Sequence, residues 1–165
     1  MKRVLLTGMS GTGKSTIIAE LAARGYKAVD TDYGGWSEVV TVPASSGESG
    51  LGVGRDQLWR EDRIAHLLST EDTDALFVSG CAPNQSTFYP QFDHIVLLSA
   101  PASVMAARLV TRTNNPYGKD ADELRRVLAL KQTVEPMLRR AADVEIDTSV
   151  PPDQVVEQIL GLVSR

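Results

Sequence analysis

The chain is poor in cysteine: among 165 residues only Cys81 is present. No disulfide can form within it, which suits a reducing cytoplasm and rules out a disulfide-stapled secreted fold. Aromatics make up only 5%, and the two histidines, His66 and His94, are far apart in sequence. No zinc-type spacing of Cys and His exists, so a structural zinc site is not expected. Basic residues are not in excess, since the net charge is −4. A general nucleic-acid binder would need a basic surface, so none is expected as a partner. No apolar run approaches the length that spans a membrane. Met1-Lys2-Arg3 looks like the start of a signal peptide, but the apolar run behind it is too short for one. No internal repeat is visible. What remains is enough chain for one domain, read as residues 1–165, with 42% hydrophobic residues for one core.

The most informative segment is Gly8-Met9-Ser10-Gly11-Thr12-Gly13-Lys14-Ser15. It matches G-x-x-x-x-G-K-[ST], follows the apolar run Val4-Leu5-Leu6 and precedes a helical pattern. Backbone amides in such a turn cradle phosphates, the lysine adds a point charge, and the serine hydroxyl serves Mg²⁺. Ser10, Gly11, Thr12, Gly13, Lys14, Ser15 and Thr16 are therefore read as nucleotide-binding residues, and ATP with Mg²⁺ as cofactors.

Strands are expected over residues 3–7, 27–30, 74–79, 93–99 and 144–147. Helices are expected over 14–24, 56–69, 101–112, 120–142 and 153–163, with Pro136 kinking or splitting the fourth. Residues 85–91 have room for one helical turn. Alternating strands and helices predict an α/β fold, a three-layer sandwich around a five-stranded parallel sheet. Ligands of such sheets bind at the carboxyl ends of the strands. Those ends carry 8–15, 30–32, 79–84, 99–100 and 148–152. Residues 34–54 hold six glycines and four serines with almost no periodicity, and read as a flexible flap on the substrate side.

Asp30 and Asp32, two apart in an extended segment, can face the same site. A carboxylate beside the γ-phosphate can serve Mg²⁺ or take the proton of an acceptor hydroxyl. Arg108 and Arg112 lie four apart on one helix face. Cys81 reads as a small buried hydrophobe near the acceptor pocket, and His66 as a packed or edge histidine. Asp32-Tyr33-Gly34-Gly35 has the form of a GTPase D-x-x-G, but no guanine-reading Asn-Lys-x-Asp follows.

Phosphate loop, Asp30-Thr31-Asp32 and an arginine-bearing lid together resemble the adenylate-kinase-like branch of P-loop kinases. The wording of the loop is similar to that of gluconate kinases, and the acid pair resembles the Asp-x-Asp of shikimate kinases. That resemblance implies the order 2-3-1-4-5 for the sheet. It implies Asp30 with Ser15 as the Mg²⁺ side and Asp32 as the acceptor-side base. Trp59-Arg60 resembles the Phe-Arg that grips the acceptor carboxylate in shikimate kinases, although Arg63 stands where that family has Glu. Gly80 lies in the place of its Gly-Gly-Gly turn. Arg60 and Gly80 are thus implied substrate contacts beside Asp32. By the same resemblance Arg108 stacks on adenine, Arg112 reaches phosphate from a lid over residues 112–119, and Pro151 belongs to a loop that meets adenine through its backbone. The catalytic set is then Lys14, Asp32 and Arg112.

The expected activity is ATP- and Mg²⁺-dependent phosphotransfer to a hydroxyl of a small metabolite, by a cytoplasmic monomer or homodimer. A nucleoside or nucleotide kinase, with Trp36 and Trp59 free to stack on a base, is one alternative. A nucleotide-binding regulatory ATPase without an acceptor is another.

Overall fold

Five short strands form the central sheet, apolar through its three middle members. In the computed structural model, which describes residues 1–113 and 115–164, β1 (Lys2–Thr7), β2 (Lys27–Asp30), β7 (Ala75–Ser79), β8 (His94–Ser99) and β9 (Val144–Asp147) pair entirely in parallel. Their order is β2-β7-β1-β8-β9. Numbered among the sheet strands alone, this is the expected 2-3-1-4-5. The central strands are buried on both faces, which explains why they read as continuous apolar runs rather than alternating ones.

Both faces are covered by helices. Leu6 and Phe77 face α1 (Lys14–Ala23) and α6 (Pro152–Val163), where Ile17, Leu21, Val155 and Ile159 are buried. Leu5, Leu76 and Val78 face the opposite way, toward Ile64, Leu67 and Leu68 of α2 (Glu61–Ser69). Leu97 packs with Met105 and Leu109 of α3 (Ala102–Thr111), with Val127 of α4 (Ala121–Thr133) and with Leu138 of α5 (Glu135–Ala141). Each such fully buried aliphatic chain contributes about 1.5–3 kcal/mol. Residues 85–91 form a 3₁₀ turn.

Two expectations are corrected. Residues 34–54 are not patternless: β3 (Ser37–Thr41) pairs antiparallel with β6 (Arg55–Trp59), and between them β4 (Glu48–Ser49) pairs with β5 (Gly52–Val53). Val39-Val40-Thr41 is a β-branched run whose signal the surrounding glycines diluted. Residues 56–59 therefore belong to a strand, and the expected helix over 56–69 starts only at Glu61, with Arg60 extended at its N-cap. The pairing with Ser37–Thr41 overrides the helical periodicity. The fourth helix is split near Pro136, as expected: it ends at Thr133 and a separate helix begins at Glu135. Pro136 sits in the first turn of the second, where its missing N–H costs nothing.

Candidate active site

β1 delivers the chain into the glycine-rich turn, and the turn ends as the N-cap of α1. Gly13 holds that cap at φ +90°, a backbone conformation that side-chain-bearing residues rarely adopt. The first turn of α1 thereby presents unpaired amides and the positive helix end to the cleft. The Lys14 ammonium is folded along the turn and donates to the carbonyls of Gly8 (2.7 Å) and Met9 (2.9 Å). Ser15 Oγ donates to Asp30 Oδ2 at 2.7 Å. Thr12 points inward instead: it is fully buried, and its hydroxyl donates to Met9 O at 2.7 Å.

The cleft above the turn has a volume of about 300 Å³. Ser10, Gly11, Gly13, Lys14, Ser15, Thr16, Asp32, Arg108 and Arg112 line it, together with Thr111, Asn115, Thr148, Val150, Pro152 and Val155. Of the residues expected in the site, nine therefore share one cavity. Asp30 lies behind Ser15, and its Oδ1 also accepts from Asp32 N at 3.0 Å. Pro151 is exposed at the N-cap of α6 between two residues that do line the cleft.

Asp32 is open to water on one side but crowded by protein on the others. Burial pushes its carboxyl above the ordinary range, Lys14 and Arg112 pull it down, and Asp30 adds to the rise. Arg112 Nε donates to Asn115 O (3.1 Å) and Nη2 to Tyr117 O, so the guanidinium shapes the turn after α3. Burial pulls Arg112 below its usual value, opposed by Tyr33 and Asp32. Arg108 is held differently: Nη1 donates to Thr148 Oγ1 at 3.0 Å and Nη2 to Thr148 O. Asn114, inside the expected lid, lies outside the described residues.

On the acceptor side the structure departs from expectation. Arg60 is exposed at the start of α2, its N–H donating to Trp36 O at 2.8 Å, and its side chain is not in the cleft wall. Gly80 is buried rather than lining the cleft: a Cβ there would stand 2.1 Å from Thr31 Oγ1 and 3.2 Å from Trp59 Nε1. Its glycine is explained by that close approach. Trp59, only 2% exposed, donates its indole N–H to Thr31 Oγ1 at 3.0 Å and has no free face for a base. Cys81 is exposed, not the buried hydrophobe expected. It is nevertheless ringed by protein. Burial pushes its thiol up, Lys14 and the Thr7 hydroxyl pull it down, and Asp32 and Asp56 raise it further. His66 is exposed on α2.

The oxygen donors suit a hard cation. Ser15 and Asp30 are in contact, and Ser79, the register partner of Asp30, has a fully buried hydroxyl without a hydrogen-bond partner. No group of three or more His, Cys, Asp or Glu is placed to enclose an ion among the described residues. Phosphate oxygens and water would complete its shell, which is how Mg²⁺ is usually held. In the sequence Thr31, Asn115 and Thr148 stand out only as members of segments 30–32, 112–119 and 148–152, and the structure gives each its own contacts.

The family model described as AAA domain matches residues 4–129. Shikimate kinase 2 of Yersinia enterocolitica is 30% identical over 98% of this chain and 95% of that protein. Among solved structures, shikimate kinase from Acinetobacter baumannii in complex with shikimate superposes with a TM-score of 0.64 at 21% identity, covering 99% of this chain and 93% of that one. A gluconokinase from Sinorhizobium meliloti superposes at 0.56 with 22% identity, covering 99% and 92%. At those identities the two structures speak for the fold alone. Three curated relatives described as nucleotide-binding proteins are longer, and the chain spans about half of each. No helix among the described residues is long and apolar enough to cross a membrane. With the phosphate loop, the sheet order and these relatives in agreement, the chain belongs to the AAA domain family, as a P-loop kinase of the adenylate-kinase-like branch and hence a phosphotransferase.

Proposed function

We propose that the protein transfers the γ-phosphoryl group of ATP to a hydroxyl of a small metabolite in the cytoplasm. The observation that carries this reading is the meeting of Lys14, Asp32 and Arg112 in one cleft, beside the Ser15–Asp30 contact. The loop amides and Lys14 hold the phosphates, and Arg108 covers the nucleotide from the α3 side. Ser15 and Asp30 would hold Mg²⁺, which would offset the charge that develops during transfer. Asp32 accepts the proton of the acceptor hydroxyl as the new O–P bond forms and the bond to the β-phosphate oxygen breaks, with ADP leaving. A carboxyl pushed upward by burial is suited to that proton. Arg112 meets the phosphoryl group from the turn after α3.

In this reading residues 34–54 are the substrate-side flap and 112–119 the lid of a single domain. The two touch: Tyr117 Oη donates to Gly50 O at 2.6 Å, and Arg126 Nε to the same carbonyl at 3.2 Å. Arg60 and Gly80 support the acceptor pocket from outside the cleft wall rather than within it. A nucleotide-binding regulator is the second reading, favoured by the relatives described only in those terms. Burial of Trp59 removes one of the two base-stacking candidates for a nucleoside acceptor.

The test is ATP turnover alone and then with sugar acids, hydroxy acids, antibiotics and nucleosides. One acceptor should stimulate turnover with product formed 1:1 with ADP, and Lys14→Ala should abolish it while the fold persists. Turnover that survives Lys14→Ala removes the loop from catalysis. ATP binding that no acceptor converts to turnover supports the regulator.

A further inference from the structure

Thr148 opens the segment after β9 and is 4% exposed. Its hydroxyl donates to Thr12 O at 2.7 Å, stands 3.2 Å from Ser99 O, and accepts from Arg108 Nη1 at 3.0 Å. The Thr148 carbonyl accepts from Arg108 Nη2. Arg108 Nη1 also reaches Gly11 O at 3.4 Å. One residue therefore holds both arms of the guanidinium fork and a carbonyl of the phosphate loop.

The consequence follows from peptide geometry. A trans peptide is planar, with C=O and N–H on opposite edges. Drawing the Thr12 carbonyl toward Thr148 turns the N–H of Gly13 the other way, and Gly13 lines the cleft. The Arg108 guanidinium, fixed at two nitrogens, loses the freedom to rotate out of its plane beside Gly13; a Cβ on Gly13 would stand 3.6 Å from Nη1.

We propose that Thr148 is a positioning residue for the nucleotide, setting the Gly13 amide and the plane of Arg108 through a single side chain. This rests on the nucleotide reading of the cleft given above. Thr148→Val keeps the shape and removes the hydroxyl. It should weaken ADP binding, followed by isothermal titration calorimetry with Mg²⁺ present, about tenfold, or ~1.4 kcal/mol. Thr148→Ser, which keeps the hydroxyl, should stay within about threefold. With an acceptor in hand, the KM for ATP should rise while kcat changes less. Loss through general damage would weaken both variants alike, and that result overturns the proposal. So does a Thr148→Val protein that binds ADP like the parent. If Thr148→Val does not fold, Arg108→Lys reads the same fork with its charge retained, and parental ADP binding there overturns the proposal equally. A parent protein that binds no ADP sinks the kinase reading itself, and this one with it.

Discussion

Thr31 sits between the two acids and is 1% exposed, and its replacement by valine tests what holds them in place. Its hydroxyl donates to Ser79 O at 2.8 Å and accepts the indole N–H of Trp59 at 3.0 Å. Valine matches threonine in shape, so no cavity opens. Ser79 O keeps a second donor, Thr31 N at 3.0 Å. Trp59 Nε1, in a side chain 2% exposed, keeps none of the bonds described for it. The cost is thus one buried donor left without a partner, about 1–3 kcal/mol. For a chain of this length each kcal/mol shifts Tm by roughly 2–4 °C. Thr31→Val should therefore melt about 4–8 °C lower at the middle of that range, by calorimetry or circular dichroism. Adding Trp59→Phe removes the stranded donor, so in a double-mutant cycle the two changes should cost less together than the sum of each alone. Unchanged melting of Thr31→Val, or strict additivity in the cycle, refutes the bridge between β6 and the acid-bearing segment.

Asp32, its carboxyl pushed up mainly by burial, resists ionisation in the folded chain. Its contribution to stability is full below the unfolded value near 4 and is lost as pH rises through the higher folded value. Asp32→Asn should raise Tm at pH 7, show no gain at pH 3, and lower kcat more than it weakens ATP binding; no gain at pH 7, or an unchanged kcat, would count against the assignment. By the same shift, parental kcat should fall as pH drops through a value above the ordinary carboxylate range, and a profile flat down to pH 4 would speak against Asp32 as base. Tyr117→Phe removes one of two donors to Gly50 O, about 1 kcal/mol. Tryptic cutting after the exposed Arg55 should then run several-fold faster, and an unchanged rate would detach the ribbon from the turn.

What was legible in the sequence follows the range of the forces involved. The central sheet strands are buried on both faces, so Val4-Leu5-Leu6 or Ile95-Val96-Leu97-Leu98 announce themselves without knowledge of their neighbours. The phosphate loop is equally local, one contiguous turn with its glycines at fixed offsets. The ribbon of β3 and β6 was not legible, because Ser37–Thr41 and Arg55–Trp59 become strands only by meeting across the intervening segment. Read alone, Asp56 to Ser69 has a helical face, and only the pairing of its first four residues with Ser37–Val40 breaks it. Thr31 was equally hidden: as the middle of Asp-x-Asp it carried no pattern, yet it is the residue that bonds the segment down.

The arginines show how a role is narrowed by what a side chain already holds. Arg108 and Arg112 lie on one helix face and read alike in sequence, but the structure divides them. Both nitrogens at the tip of Arg108 are engaged by Thr148, which leaves it a fixed plate beside the phosphate turn. Arg112 commits Nε and one arm, Nη2, to the carbonyls of Asn115 and Tyr117. A guanidinium carries more N–H donors than those two bonds use. Arg112 can therefore hold its turn and still offer the Nη1 arm to a phosphoryl group in the cleft, without giving up the contacts that keep it there. Tyr117 ties the same turn to Gly50 of the ribbon. In the proposed reading, the group that would meet the phosphoryl and the segment that would cover the acceptor are joined through one tyrosine, so a ligand that reorders the ribbon would act on Arg112 by way of its own anchor.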